Sequence, residues 1–139
     1  MILHGLSKYR DAGLLLLRIL IGLSFLAHGL PKLMEGPDLW VKLGKSMVFL
    51  GIGAYPIFWG LMAALSEAVG GFLLLIGFAF RPACLFLLTT MVVAASWDFH
   101  RTPGNLFEKW QLASHAIELG SVFLSLLLIG PGKFSVDRE

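Results

Sequence analysis

The chain has few charged residues and only one cysteine. Of its 139 residues, 14% are charged, compared with about 25% in an average soluble domain, and the formal net charge is +2. Because this charge is small and the basic residues flank apolar segments, nucleic acid is not an expected partner. Cys84 has no second cysteine with which to form an internal disulfide, which argues against a stand-alone thiol oxidoreductase. We also expect no covalently bound cofactor.

Apolar residues make up 57% of the chain, and the mean hydropathy is +0.80. They are concentrated in four segments whose lengths suit a hydrocarbon core about 30 Å thick. We predict membrane spans over residues 12–30, 57–80, 82–96 and 112–129. These spans leave no room for a separate soluble catalytic domain, so residues 1–139 are predicted to form a single transmembrane domain in the lipid bilayer.

The predicted fold class is all-α: a polytopic membrane protein built as an antiparallel four-helix transmembrane bundle. Between the first and second spans, residues 39–50 place most of their apolar side chains on one side of a helix. This pattern predicts a short interfacial helix, although a partly inserted loop has a similar pattern.

Basic residues near the ends of the spans predict the orientation. One side of the membrane receives Lys8, Arg10, Arg81, Lys133 and Arg138, and the other receives Lys32, Lys42, Lys45, Arg101 and Lys109. The first set lies in much shorter segments, and short flanks dominate the positive-inside effect. We therefore predict that both termini are cytoplasmic in a cell (inner) membrane, with loops 31–56 and 97–111 facing outward.

Each ionisable residue within a span is a candidate functional residue, because a charge at bilayer depth is costly unless it is paired or faces the protein interior. Spacings of three and four place Arg18, Gly22, Phe25, Gly29 and Lys32 on one face of the first span. Glu67 is predicted near the middle of the second span, and most of the other ionisable groups are predicted to converge in the extracytoplasmic half, namely His28, Lys32, Asp98, His100, His115 and Glu118.

Arg18 lies in the cytoplasmic half of its span, and we expect it to pair with Glu67 or Glu118, because an unpaired guanidinium there would carry a large desolvation penalty. The pair could be purely structural and set the register of the helices. Alternatively, Arg18 could anchor an anionic headgroup, a substrate oxyanion or a semiquinone, since its planar guanidinium donates several hydrogen bonds.

His28 and His115 are candidates for proton exchange with a ligand, because histidine is the residue type suited to that chemistry at physiological pH. Glu118 shares a helix face with His115 at i, i+3. His28 could instead make only a structural hydrogen bond. A metal site formed by His28, Glu67, His115 and Glu118 is a less favoured alternative, because the expected Glu-x-x-His order is reversed in the fourth span.

Three separated motifs occur along the chain. The first is Arg18-Ile-Leu-Ile-Gly22 followed by Phe25-Leu-Ala-His28-Gly29-Leu-Pro-Lys32-Leu33. The second is Glu67-Ala-Val-Gly70-Gly71-Phe-Leu-Leu74-Leu75-Ile-Gly77, followed by Arg81. The third is the C-terminal sequence Gly130-Pro131-Gly132-Lys-Phe-Ser135-Val-Asp137. In this order the motifs resemble those of the DoxX family of small four-helix membrane proteins.

This resemblance implies a membrane subunit of a quinone-linked oxidoreductase system, with quinone as the cofactor and a soluble or membrane-associated redox protein as the partner. In that function, we expect His28, His115 and Glu118 to act catalytically. Arg18, Lys32, Glu67, Asp98 and His100 would then form a polar core that binds the ligand or stabilises the fold. A non-enzymatic membrane anchor or assembly partner, and a small transporter or metal-binding protein, remain alternatives. A homo-oligomer is also compatible with the sequence.

Overall fold

A computed structural model describes residues 4–137 of the protein. Arg138, one of the basic residues that predict the orientation, lies outside the described residues. Within this range the chain is all-α, with helices α1 (Arg10–Glu35), α2 (Pro37–Gly44), α3 (Pro56–Ile76), α4 (Phe80–Arg101) and α5 (Leu106–Ile129). Short 3₁₀ segments cover His4–Tyr9 and Lys45–Leu50.

Helices α1, α3, α4 and α5 are long and apolar enough to cross a membrane, and the predicted four-helix transmembrane fold is confirmed. We call the end of the bundle where α1 begins and α5 ends the terminal end, and the opposite end the loop end. The predicted helix over residues 39–50 is also present, but it is divided into α2 and the following 3₁₀ segment.

The helices extend further at the loop end than the sequence predicts. The first span continues past its expected end at Leu30 and through Pro31 as far as Glu35. The fourth span begins at Leu106 instead of residue 112, because a capping box starts α5 early. In this box the Asn105 side chain accepts hydrogen bonds from the backbone N–H groups of Phe107 and Glu108, at 3.0 and 3.1 Å.

Helix α1 packs closely against α3 through glycines. A Cβ atom added to Gly29 would lie 2.2 Å from the backbone nitrogen of Ala68, so only glycine fits at this crossing. The face of α1 predicted to be buried is confirmed in four of its five positions: Arg18, Gly22, Phe25 and Gly29 are buried, and Lys32 is partly exposed. Close helix crossings at small residues are typical of membrane bundles.

The bundle closes in the order α1, α3, α4, α5. Helix α3 contacts both α1 and α4, and α4 contacts α5. On the remaining side, the rings of Phe25 on α1 and Phe123 on α5 meet edge to face with centroids 5.0 Å apart. Leu74 on α3 and Leu87 on α4 are fully buried beside them, so the centre of the bundle is a filled apolar layer.

Candidate functional site

Arg18 is almost completely buried at the terminal end, with 1% of its surface exposed. Its guanidinium donates four hydrogen bonds to backbone carbonyl oxygens. Those of Leu74 and Leu75, at 3.1 Å each, belong to the last turn of α3. The other two acceptors are Pro131, at 3.0 Å, and Phe134, at 2.7 Å, in the C-terminal segment.

The expected pairing of Arg18 with Glu67 or Glu118 is therefore wrong. The last four carbonyl groups of a helix have no partners within the helix, and a cation near that end is also favoured by the helix dipole. The Arg18 guanidinium donates hydrogen bonds to two of these free carbonyl groups at the end of α3. Since four of its N–H groups are already bonded to the fold, Arg18 acts as a structural residue in this arrangement.

The C-terminal segment, residues 130–137, completes the same structure. The Asp137 carboxylate accepts hydrogen bonds from the backbone N–H groups of Ala79 and Phe80, at 3.2 and 2.8 Å, where α4 begins. Gly77, which ends α3 with a left-handed φ of 68°, leaves the space that Arg18 occupies: a Cβ atom there would lie 2.4 Å from Nη2 of Arg18. Arg18, Gly77 and Asp137 thus link three distant parts of the chain.

Glu67 pairs with Lys32 instead of Arg18. The Lys32 Nζ atom lies 2.6 Å from a carboxylate oxygen of Glu67, and the side chains are 30% and 8% exposed. The backbone carbonyl of Lys32 also accepts a hydrogen bond from the Trp40 indole, at 2.9 Å, which ties α2 to α1. This ion pair joins α1 and α3 nearer the loop end.

The three expected catalytic residues do not form a common pocket. His28 lies on the exposed surface of α1, and His115 and Glu118 lie on the exposed surface of α5. The buried face of α5 consists instead of small and apolar residues, namely Ala113, Ala116, Gly120, Phe123 and Leu126. Within residues 4–137, no three His, Cys, Asp or Glu side chains are grouped closely enough to hold a metal ion. The alternative metal set of His28, Glu67, His115 and Glu118 is therefore not assembled within one chain.

Asp98 and His100 lie together at the loop end of α4. Asp98 forms an ion pair with Arg101 at 3.2 Å. Nδ1 of His100 lies 2.7 Å from the carbonyl oxygen of Ser96. Because a carbonyl oxygen only accepts hydrogen bonds, Nδ1 carries the hydrogen, and Nε2 is where a neutral His100 takes up a proton.

The exposed His100 contacts aromatic side chains on one side. Its ring stacks on Phe49 with centroids 5.0 Å apart and an interplanar angle of 14°. Phe49 in turn contacts Trp97 edge to face at 5.4 Å, and the Arg101 guanidinium lies over the Trp97 ring at 5.9 Å. The 3₁₀ segment that follows α2 is thereby attached to α4.

A cavity of about 310 Å³ lies beside this cluster, and we call it the loop-end cavity. Its lining residues come from α2, the 3₁₀ segment, the following loop and α4: Gly44, Lys45, Val48, Ile52, Gly53 and Trp97. Lys45, Phe49 and Trp97 are absent from the site residues predicted from the sequence. The density of aromatic and ionisable residues over 97–101 is the signal that points to this region.

Comparison with known proteins agrees with this architecture. The chain is 32% identical to the inner membrane protein YphA of Escherichia coli K12, over 95% of this chain and 97% of that protein. It is 31% identical to a Bacillus subtilis 168 protein named "Putative oxidoreductase CatD", over 87% of this chain and 89% of that protein. No solved structure matches the chain. The family model for DoxX matches residues 13–101, which include α1 to α4 almost completely, and the chain belongs to the DoxX family.

Proposed function

We propose that this protein is a membrane subunit of a quinone-linked oxidoreductase system of the inner membrane, and that the loop-end cavity holds the quinone headgroup. The observation that carries this proposal is the cavity itself, a largely apolar recess lined by Trp97, which Phe49 connects to the ring of His100. The name of the Bacillus subtilis relative, an oxidoreductase, and that of the Escherichia coli relative, an inner membrane protein, support the same assignment.

The residues of the loop-end cavity suit a quinone. A quinone has a flat ring, two carbonyl oxygens that accept hydrogen bonds and an apolar tail. Val48 and Ile52 provide apolar surface, and the Lys45 ammonium and the Trp97 indole N–H are hydrogen-bond donors. Ligand pockets typically combine apolar walls with a few polar groups of this kind.

His100 supplies the proton chemistry in this proposal. A quinone, when bound, would supply two-electron redox chemistry that also requires two protons, and the exposed His100 would pass these on from water one at a time. His100 holds its Nδ1 hydrogen against the Ser96 carbonyl, which leaves Nε2 to gain and lose a proton. Stacking against Phe49 fixes the plane of the ring. The electrons come from the partner redox protein, because a single buried cysteine provides no dithiol in this chain.

Quinone retention tests the proposal. The protein is purified in mild detergent from quinone-containing membranes, and bound quinone is extracted and quantified per chain. We expect Val48→Trp, which fills the cavity, to lower retained quinone at least ten-fold. Ile57→Trp is the matched control, because Ile57 is exposed on α3 and does not line the cavity. Equal retention by wild type and Val48→Trp, or wild-type retention no higher than that of an unrelated membrane protein, would contradict the proposal.

The proton role is tested separately with His100→Gln, which keeps hydrogen-bonding capacity but cannot titrate. We expect this variant to retain quinone and to lose quinol formation when the partner protein donates electrons. His28→Gln is the control, because His28 lies on the exposed face of α1. If His100→Gln reduces quinone at the wild-type rate, the proton exchange takes place elsewhere.

A non-enzymatic assembly subunit is the second candidate function, and the filled interior favours it. Within residues 4–137, every buried side-chain nitrogen and oxygen atom has a hydrogen-bond partner, so the polar core is stabilised without a ligand. The same purification distinguishes the two functions. A protein that copurifies with an oxidoreductase polypeptide but carries no quinone would favour the assembly function.

A further inference from the structure

Glu118 lies at an unusual position for an ionisable residue in a membrane helix. It is 12 residues after the start of α5 at Leu106 and 11 residues before its end at Ile129, which places it about 18 Å from the start and about 16.5 Å from the end. At this depth it is exposed on the outside of the bundle. His115, one turn earlier, is exposed on the same face.

No described residue provides a hydrogen bond or an ion pair for either side chain. Lipid cannot provide these interactions, and ionisable groups within the membrane almost always face protein or a water-filled cavity. The exposed face of α3, in contrast, is typical of a surface that faces lipid. Its most exposed large side chains are all apolar: Ile57, Phe58, Met62, Val69 and Phe72. The outward surface of α5 is therefore incomplete in the single chain.

Polar and small residues continue along the same surface. At alternating spacings of three and four, α5 carries Gln111, Ser114, Glu118, Ser121 and Ser125, and together with His115 we call them the α5 polar face. A repeat averaging 3.5 residues is the pattern of helices that pack side by side with a left-handed crossing. The hydroxyl groups of Ser121 and Ser125 bond to carbonyl oxygens of their own helix, at 2.9 and 2.8 Å. They therefore need no partner, and their small size permits close approach of another helix.

We propose that the α5 polar face is the interface of a parallel homodimer, in which His115 and Glu118 of the two copies complete a shared polar cluster in the membrane. Two copies inserted in the same direction are related by a two-fold axis along the membrane normal, so equivalent residues meet at equal depth. His115 and Glu118 are separated by about 4.5 Å along the helix. His115 of each copy therefore reaches the acid of its partner.

A second copy fits this surface because the surface is self-complementary. It presents a hydrogen-bond donor that can carry positive charge and an acceptor that carries negative charge, one turn apart. An isologous contact forms the His115–Glu118 pair twice with no other component. This inference is independent of the loop-end cavity, whose lining residues lie outside α5.

Disulfide crosslinking in native membranes tests the interface. Ser121→Cys is oxidised with copper phenanthroline, which takes two electrons from the two thiols as the disulfide forms and two protons leave. The matched control is Thr89→Cys on α4, because Thr89 is also exposed near mid-helix and bonds its hydroxyl to its own helix. The native Cys84 is fully buried and serves as the background. We expect a covalent dimer for Ser121→Cys and none for Thr89→Cys.

The contribution of His115 and Glu118 to the interface is tested by substitutions added to the Ser121→Cys variant. Glu118→Leu and His115→Leu should each lower the crosslinking yield at least ten-fold, while the helical signal and melting temperature of the purified protein stay near those of the parent. Fluorescence energy transfer between labelled copies in lipid vesicles gives a second measurement that does not depend on cysteine chemistry.

Three results would overturn the proposal. The first is equal crosslinking, or none, at Ser121→Cys and Thr89→Cys. The second is an unchanged yield in the leucine variants. The third is crosslinking of Ser121→Cys to a different polypeptide in native membranes while the purified chain stays monomeric in vesicles at every lipid-to-protein ratio.

Discussion

Replacing Arg18 with lysine tests the structural role assigned to its guanidinium. Lysine keeps the positive charge but replaces a planar group with five N–H donors by a compact ammonium with three. Arg18 donates to four carbonyl oxygens that lie in two parts of the chain, the end of α3 and the C-terminal segment. An ammonium cannot serve all four, so at least one buried carbonyl loses its bond.

The expected change in the free energy of unfolding follows from the number of hydrogen bonds that are lost. A bond from a charged donor contributes about 1.5–3 kcal/mol, so Arg18→Lys should lower the free energy of unfolding by about 1.5–3 kcal/mol. Removing residues 131–139 eliminates two of the acceptors, Pro131 and Phe134. A lysine can still serve Leu74 and Leu75, so in the shortened chain the same substitution should cost less than about 1 kcal/mol.

The assay is reversible unfolding of the detergent-solubilised protein by a denaturing detergent, followed by circular dichroism, for all four combinations of the two changes. Arg10→Lys is the control on the same helix, because Arg10 makes one long, exposed hydrogen bond, 3.5 Å to the carbonyl of Ile129. An Arg18→Lys variant as stable as Arg10→Lys would refute the structural role. An equal cost in the full-length and shortened chains would refute the link to the C-terminal segment.

Three further predictions concern other parts of the structure. Glu67→Gln leaves the Lys32 ammonium without its carboxylate 2.6 Å away, and we expect a loss of about 1–3 kcal/mol in unfolding free energy, between the values for exposed and buried pairs. Gly77→Ala forces a side chain into a left-handed backbone and against Arg18, and the melting temperature should fall by several degrees or more, as expected for about 1–3 kcal/mol. Cysteine at Ser46 should react with an impermeant thiol reagent in intact cells, and cysteine at Ser7 should not, since both termini are predicted to be cytoplasmic.

Each of these predictions has its own control. The control for Glu67→Gln is Lys42→Met, which removes a charge at an exposed position without a described ion pair and should leave the stability unchanged. Gly53→Ala is the control for Gly77→Ala, because a Cβ atom at Gly53 meets nothing within 4 Å. For the topology, permeabilised cells should label both cysteines. Labelling of Ser7→Cys in intact cells would reverse the predicted orientation.

The interior face of α1 could be predicted from the sequence because its signal is periodic. Arg18, Gly22, Phe25 and Gly29 recur at spacings of three and four, and all four are buried. A charged residue in the same helical row as two glycines indicates a face that touches protein, since lipid offers neither a partner for the charge nor a reason for small residues.

The partner of Arg18 could not be predicted in this way, because a sequence reveals only side chains of opposite charge as candidate partners. Its acceptors are backbone carbonyls, which every residue carries and no residue type reveals. The sequence does contain an indirect signal. Gly77 ends α3 and leaves carbonyls free near Arg18, and Asp137 holds the C-terminal segment against the start of α4.

The sequence also does not predict which face of α5 packs against the rest of the bundle. Its spacing places His115 and Glu118 on one face, but two faces of the helix are candidates for the interior. The face with Ala113, Ala116 and Gly120 is the buried one, because small residues allow α4 and α5 to approach closely. A Cβ atom at Gly120 would lie 3.5 Å from Cβ of Met91, an ordinary van der Waals contact, so this crossing accepts small residues without requiring glycine. Packing, rather than polarity, determines which face turns inward.

The filled apolar centre of the bundle argues against the transporter alternative. Phe25 lies seven residues from Arg18 and seven from Lys32 along α1, about 10 Å in either direction. Its contact with Phe123 therefore separates the Arg18 hydrogen bonds from the Lys32–Glu67 ion pair. A proton or ion passing between these groups would need a polar path, and an apolar layer of fully buried side chains lies between them. Chemistry on this fold is consequently expected at the loop-end cavity and on the outward face of α5, rather than along the axis of the bundle.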